Sequence, residues 1–289
     1  MTDHSDAWRG AVQVGNCLIH VAVDGPHKAP RLMLSNSLGS DLTMWDPQLA
    51  AFSKHFRVIR YDSRGHGKSD APHGPYSIMV GQWLGTNAPS RVDKLILSNT
   101  TSYYADKQSW TNRIEFVRTN GIKAIAAPSM ERWFSADFRE REPATVARAT
   151  EMLIATDLEG YVGCCAAVRG IDHRALLSKI NAPTLLIAGL LDAATPIEAH
   201  EFIQSNLRRK VGDFGSGAFV KHRAVRCIYR CRSTISSELI CLARPSTATK
   251  VRRCPTVRQP TATTSPLAAD RMIASKSAML LTRSSPEIS

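Results

Sequence analysis

The stretch Arg57-Val-Ile-Arg-Tyr-Asp-Ser-Arg-Gly-His-Gly-Lys-Ser69 decides the fold. It opens as a short, largely apolar run that ends in polar turn residues, the pattern of a parallel strand buried on both faces. Glycines on either side of His66 then supply the positive φ angles of a tight strand-to-helix turn. Working outward, Arg31-Leu-Met-Leu-Ser35, Lys94-Leu-Ile-Leu-Ser-Asn99 and Thr184-Leu-Leu-Ile-Ala-Gly189 repeat the pattern. Cys17-Leu-Ile-His-Val-Ala-Val23 reads as a further strand that turns at Asp24-Gly-Pro. Between these runs, Trp45 to His55 fits a short helix. Met79 to Ala88 sets Val80, Trp83, Leu84 and Ala88 on one helical face before Pro89. Alternating strands and helices predict an α/β class with a mostly parallel sheet.

From Arg113 to Arg174 there is only helical periodicity. Tyr161, Cys164, Cys165 and Val168 follow the i, i+3, i+4, i+7 rule behind a cap at Asp157, and Pro143 suits a first helical turn. A helical block between two strands of a parallel sheet reads as a lid. The expected organisation is therefore an α/β core over 1–105 and 175–207, a helical lid over 106–174, and a basic, low-order tail over 208–289. The chain has a formal net charge of +12, and all of the excess lies in that tail, because residues 1–207 balance. Arg, Ser, Thr, Pro and Ala dominate there without apolar period, a composition that buries too little surface to offset its ordering entropy.

Several function classes are disfavoured by composition. Basic clusters without interleaved aromatics predict nonspecific phosphate attraction and no specific nucleic-acid partner. No apolar stretch is long enough to span a bilayer and the N-terminus is too polar for a secretory signal, so no membrane partner and a cytoplasmic location are expected. The seven cysteines are an odd number and read as reduced thiols. Cys227-x-x-x-Cys231 lacks a second pair, so no metal is expected.

Three loops carry candidate chemistry. In Asn36-Ser37-Leu38-Gly39, backbone N–H groups can face a substrate oxygen, as acyl transfer requires. In Asp62-Ser-Arg-Gly-His66-Gly, His66 is either catalytic or a turn residue, and flanking glycines without a base partner favour the turn. In Gly189-Leu-Leu-Asp192-Ala-Ala-Thr195-Pro196, Asp192 lies just past a buried strand, where open α/β sheets gather functional groups. It either orients a catalytic histidine or serves as a turn or cap residue.

In this order, Ser35-Asn-Ser-Leu-Gly-Ser-Asp-Leu-Thr-Met-Trp-Asp46, Tyr61 to Ser69, Asp157-Leu-Glu-Gly-Tyr-Val-Gly-Cys-Cys-Ala-Ala-Val168 and Ala182-Pro-Thr-Leu-Leu-Ile-Ala-Gly189 resemble the 3-oxoadipate enol-lactonases, which are α/β-hydrolases. The lid stretch is the most specific part, and the resemblance covers most of 12–207. It implies hydrolysis of the enol-lactone of the β-ketoadipate pathway in bacterial aromatic catabolism. The chemistry would be acylation of a serine followed by attack of water, with a small-molecule lactone as partner and no cofactor. By resemblance, Asp192 matches the acid of a Ser…Asp…His order, the Leu38 N–H matches an oxyanion donor, and Trp133 matches a lid residue near the bound lactone.

The chain departs from this family at two places. The nucleophile belongs in Gly-x-Ser-x-Gly, and no such pentapeptide occurs. Ser77-Ile78 passes straight into Met79-Val-Gly-Gln-Trp-Leu-Gly, which resembles the helix just after the nucleophile. One helix fits between Ala71 and Asp93; a parallel crossover needs a dozen or more residues, so the central nucleophile strand has no room. The remaining strands are expected to close up, since a right-handed crossover from 57–62 to 94–99 is still allowed. The family's histidine belongs after the last strand, and the resemblance stops at Asn206. His222 lies at a plausible distance after Ala218-Phe-Val, although Lys221 and Arg223 do not resemble the family's loop. An internal deletion plus a change of reading frame near 207 accounts for both. The expected function is that of an enol-lactonase homologue with impaired catalysis, or else a non-catalytic remnant that binds or interacts, or a protein acting through its basic tail.

Overall fold

The computed structural model describes residues 7–74, 76, 78–208, 219–222 and 277–282. β1 (Trp8–Val14) and β2 (Cys17–Asp24) form an antiparallel hairpin across the two-residue turn Gly15-Asn16. β3 (Arg31–Ser35) leads through a 3-10 turn over Leu42–Trp45 into α1 (Asp46–Phe52) and then β4 (Arg57–Tyr61). α2 (Val80–Asn87) precedes β5 (Val92–Ser98). Five helices follow before β6: α3 (Lys107–Asn120), α4 (Ala126–Trp133), α5 (Ala136–Arg141), α6 (Pro143–Ile154) and α7 (Leu158–Gly170). β6 (Thr184–Gly189), α8 (Ile197–Asn206), β7 (Phe219–His222) and β8 (Ser277–Thr282) complete the chain order.

The helices start where the side chains dictate. The Gly160 N–H donates to the Asp157 carboxylate at 2.8 Å, the Ser109 N–H to Asp106 at 3.0 Å, and Pro143 occupies the first turn of α6. Tyr161, Cys164, Cys165 and Val168 are all buried on α7. Tyr161 and Cys165 belong with Ile114 and Val117 of α3 and Leu32 and Leu34 of β3 to one apolar cluster, so lid and sheet share a core.

The sheet order is β1-β2-β4-β3-β8-β5-β6-β7. β3 and β4, β5 and β6, and β6 and β7 pair in parallel. The expectation that the remaining strands close up is corrected here: β8 lies between β3 and β5. It pairs antiparallel with both, from Arg31↔Thr282 to Ser35↔Ala278 on one side and from Val92↔Thr282 to Ser98↔Ser277 on the other. The physical reason is that two inward strand edges in a buried sheet need partners for their N–H and C=O groups. Met279 and Leu281 join the cluster beneath the lid, and Leu280 joins a second cluster on the opposite face with Leu95, Leu97 and Leu186. That alternation is the period-two signature of a strand buried on both faces. Two segments of the 208–289 tail, β7 and β8, are thus part of the sheet. The Cys227–Cys231 pair lies outside the described residues.

Met79, immediately before α2, is left-handed, with φ 58° and ψ 43°. A non-glycine residue held there costs roughly 1–3 kcal/mol. Ordinary helix entry uses an extended cap residue, and this one is forced round instead.

Candidate active site at the carboxyl edge of the sheet

The loops after β3, β5 and β6 leave the same edge of the sheet. The first is held by side chains. Trp45 donates its indole N–H to Asn36 Oδ1 at 2.9 Å, and Asn36 Nδ2 donates to the Tyr61 carbonyl at 2.7 Å. Asp62, buried, accepts from the Leu42 N–H at 2.7 Å, the Lys68 N–H at 2.9 Å and His20 Nδ1 at 2.7 Å.

His66 takes the turn role and not that of a base. Its Nε2 accepts the Gly39 N–H at 2.9 Å, and its Nδ1 lies 3.0 Å from the Arg64 carbonyl. Those partners assign the neutral tautomer with the proton on Nδ1. Burial holds its pKa below the ordinary value, against the opposing pull of the Arg64 carbonyl and of Asp62, Asp41 and Asp157. Gly39 has φ +77°, and a Cβ there would meet Leu153 at 2.5 Å, with Trp133 and Tyr161 each at 3.5 Å. The lid therefore lies directly over this loop. Trp133 is brought beside Gly39 and hence beside Leu38. The Leu38 N–H donates to no acceptor among the described residues.

The loop after β5 is fixed to β6 and α8. Asn99, left-handed at φ 46°, accepts the Gly189 N–H at 2.9 Å and donates its own N–H to Ile187 at 2.8 Å. The Thr100 N–H donates to His200 Nε2 at 3.1 Å, and His200 Nδ1 faces the Pro196 carbonyl at 3.2 Å. His200 is therefore a second neutral clamp, lowered in pKa chiefly by burial. Neither Asn99 nor His200 stood out in the sequence. The only signal was a histidine four residues after Pro196 on α8.

Asp192 is buried in the loop after β6. Its carboxylate accepts the Thr195 hydroxyl at 2.6 Å and the N–H groups of Ala194 at 2.9 Å and Thr195 at 3.2 Å. It organises its own turn. Burial and the Asp192 charge together push the Tyr104 hydroxyl strongly up in pKa. Arg132, on α4 next to Trp133, feels Asp192, Tyr161 and Arg113, and is lowered by burial first and by Arg113 second. It is exposed as a residue and forms no hydrogen bond or ion pair among the described residues. Arg113 itself is committed, donating from Nε and Nη2 to the Tyr161 hydroxyl at 2.8 and 2.6 Å. Burial pushes that hydroxyl up to about 12.

Among the described residues, no serine in a Gly-x-Ser-x-Gly turn joins the loops that hold Asp192, Leu38 and Trp133. Because β8 runs antiparallel, the carboxyl edge of the parallel strands holds its first residue, Ser277, opposite Ser98. A nucleophile turn needs a strand that ends there and passes into a helix, whose first N–H groups face the reacting oxygen. His222 closes β7 in register with Gly189. From β8 to β7 is three strand spacings, or ~14 Å, so the backbone positions of Ser277 and His222 are far from hydrogen-bond reach. No described thiol is suited to replace the serine: Cys17, Cys164 and Cys165 are buried, and burial pushes Cys164 up to about 12. A concavity of about 650 Å³ lies at the opposite, amino edge, lined by Pro89, Val92, Asp93, Asn181, Pro183 and Arg208, and holds none of these groups.

No protein-family model matches the chain. It is 34% identical over 213 residues to 3-oxoadipate enol-lactonase 2 of Acinetobacter baylyi, which takes in 64% of this chain and 80% of that protein. Among solved structures, the enol-lactonase of Burkholderia xenovorans LB400 superposes with a TM-score of 0.70 at 33% identity, over 75% of this chain and 92% of that one. The fold is also that of an α/β hydrolase enzyme from a deep-sea metagenome library, with a TM-score of 0.64 at 16% identity over 73% and 88% of the two chains.

Proposed function

The chain belongs to the 3-oxoadipate enol-lactonase family of α/β-hydrolases, and from that premise we propose a lactone hydrolase site that binds its anionic enol-lactone with catalysis impaired. The observation that carries the reading is β8, an antiparallel strand between β3 and β5, where a parallel strand would lead into the nucleophile turn. The sheet is repaired by it; the turn is not.

In the intact reaction a serine hydroxyl attacks the lactone carbonyl, a histidine takes its proton, and the ring oxygen leaves as the acyl-enzyme forms; water then releases the product. In this reading the Leu38 N–H serves as an oxyanion donor, Asp192 as the acid, Trp133 as a lid residue against the lactone, and the Arg132 guanidinium as a counter-charge for the substrate carboxylate; the closeness of Trp133 to Gly39 and the burial of Asp192 support it. Without serine and base, what remains is the contribution of oxyanion donors and binding, roughly 10³–10⁴ over the reaction in water. A cytoplasmic location and a small-molecule partner go with this reading; among the described residues no helix is long and apolar enough to cross a membrane.

A second reading, that of a remnant acting as a binding or interaction protein, rests on the same observation and differs in keeping no turnover at all. Hydrolysis of 3-oxoadipate enol-lactone by the full chain, beside Asp192→Ala, separates them. The first reading expects a rate on the order of 10⁶ below an intact relative, still above the buffer rate. A rate indistinguishable from buffer supports the second. Turnover at the level of an intact relative, lost in Asp192→Ala, overturns both.

A further inference from the structure

β1 is the outer strand of the sheet, and its free edge carries few of the guards that keep such edges from pairing. Among the described residues nothing pairs with that edge. The register with β2 runs from Trp8↔Val23 to Val14↔Cys17 without a bulge, and the strand holds no proline. Its one charge is turned back on its own sheet: Arg9 Nη2 lies 2.5 Å from Asp24 Oδ1, and Nη1 donates to the Val23 carbonyl at 2.9 Å. Trp8, Val12 and Val14 share one face and are 43%, 44% and 47% exposed. The Trp8 indole lies across Gly10 on that face, where a Cβ would meet the ring at 2.5 Å.

The direction of the ladder fixes which main-chain groups are open. On β2, the Leu18 N–H donates to Asp70 at 2.8 Å, and the Leu18 carbonyl accepts the Asp70 N–H at 3.0 Å. The His20 N–H donates to Ser69 at 2.9 Å, and its carbonyl accepts the Asp62 N–H at 2.9 Å. Leu18 and His20 therefore point away from β1. By the alternation of an antiparallel ladder, their opposites Gln13 and Ala11 point away from β2, and Arg9 follows with the same period. The N–H and C=O groups of Arg9, Ala11 and Gln13 thus form an open row centred on Ala11. That row is its own complement. A second copy turned antiparallel about Ala11 sets Ala11 opposite Ala11, Arg9 opposite Gln13, Trp8 opposite Val14 and Gly10 opposite Val12. No like charges meet, and the apolar side chains of both copies fall on one face. A register centred on Arg9 would oppose two guanidinium groups, and one centred on Gln13 would leave most of the strand unpaired.

We propose that β1 is a self-pairing edge: two copies of this chain join by antiparallel β1–β1 pairing about a two-fold axis at Ala11, which makes one continuous sheet of two molecules. The occupant is a second copy because the strand matches itself in main-chain direction, charge and apolar face at one register. The exposed stripe of Trp8, Val12 and Val14 then runs on into the same stripe of the other copy. One strand pair with its side chains is a small interface, below the roughly 1,600 Å² of a standard one, so the association is weak and reads out at high protein concentration.

Sedimentation velocity of the full-length chain from about 1 µM to about 1 mM tests it. The expected result is a shift from one chain to two, reversed on dilution. Ala11→Pro should stay single throughout and keep its melting transition, since the lost N–H points away from β2 and edge positions tolerate proline. Two cysteine variants read the register. Directly opposed, hydrogen-bonded residues have Cα atoms ~5.5 Å apart, within disulfide reach, so Ala11→Cys should cross-link to its own counterpart on oxidation. Position 13 is exposed like position 11. Its counterpart would lie roughly 13 Å away, so Gln13→Cys should not cross-link. Peptide mass identifies the link between the two copies of position 11 among the chain's own seven cysteines. A single chain at every concentration overturns the proposal, and slow alkylation of the Ala11→Cys thiol would then show the edge covered within the chain. A dimer that Ala11→Pro leaves intact, or cross-linking at 13 as fast as at 11, puts the contact elsewhere and overturns it too. Should Ala11→Pro melt early, the two cysteine variants decide.

Discussion

Gly160→Ala is the sharpest test of how the lid is fixed over the oxyanion loop. A Cβ at 160 would lie 2.3 Å from Gly65 Cα and 2.5 Å from the Gly65 carbonyl oxygen. That is about an ångström inside ordinary carbon contact, and both opposing atoms are backbone. The Gly-His-Gly turn has no slack to yield. The Gly65 N–H donates to the Asp70 carbonyl at 2.9 Å and the His66 N–H to Ser63 at 2.9 Å, while His66 holds Gly39. α7 must lift instead, taking the buried Tyr161 and Cys164 with it. Overpacking of this kind costs about 1–3 kcal/mol, and for a domain of this size each kcal/mol lowers Tm by roughly 2–4 °C. Alanine is also the better helix former by up to ~1 kcal/mol, which masks part of the loss. Gly170→Ala supplies the control: it ends the same helix, and a Cβ there meets nothing within 4 Å. Melting followed by circular dichroism should place Gly160→Ala about 2–12 °C below Gly170→Ala. Equal melting points, or the reverse order, would refute the close lid-to-turn contact.

His66 and His200 are both buried neutral, with pKa below the ordinary value of 6.5. Stability from such groups is complete above the unfolded value and is lost as pH falls from there through the folded pKa. Tm should therefore decline on acidification below pH about 6.5, and less steeply in His66→Gln, which keeps an acceptor for Gly39 but cannot titrate; an unchanged slope would count against the clamp. Thr195→Val leaves one Asp192 oxygen without its 2.6 Å donor, and chemical denaturation should read a loss of about 1–3 kcal/mol. Arg132→Gln should weaken calorimetric binding of 3-oxoadipate about tenfold or more, by loss of one charge-assisted contact; unchanged affinity would remove Arg132 from the pocket.

Much of the fold is legible because it is local. The strands at 17–23, 31–35, 57–62, 94–99 and 184–189 all appear within a residue or two, each a short apolar run punctuated by turn residues. The lid helices declare themselves by period and by caps such as Asp157. β8 did not declare itself. Ala278-Met-Leu-Leu281 is too short for periodicity to classify, and its meaning depends on an empty place between two strands more than 170 positions away in sequence. The site divides in the same way. Asp192 and Leu38 are candidates that strand ends offer, whereas the clamps at His66 and His200 and the charged surroundings of Arg132 follow from packing between distant segments.

The central claim is that the repaired sheet carries no activated serine, and covalent trapping addresses it most directly. Full-length protein, shown to be folded by its melting transition, is incubated with a fluorophosphonate probe and weighed intact by mass spectrometry. No adduct is predicted, since the sequence holds no Gly-x-Ser-x-Gly and β8 runs antiparallel between β3 and β5. A stoichiometric adduct on a single serine would contradict the account and identify the nucleophile it lacks.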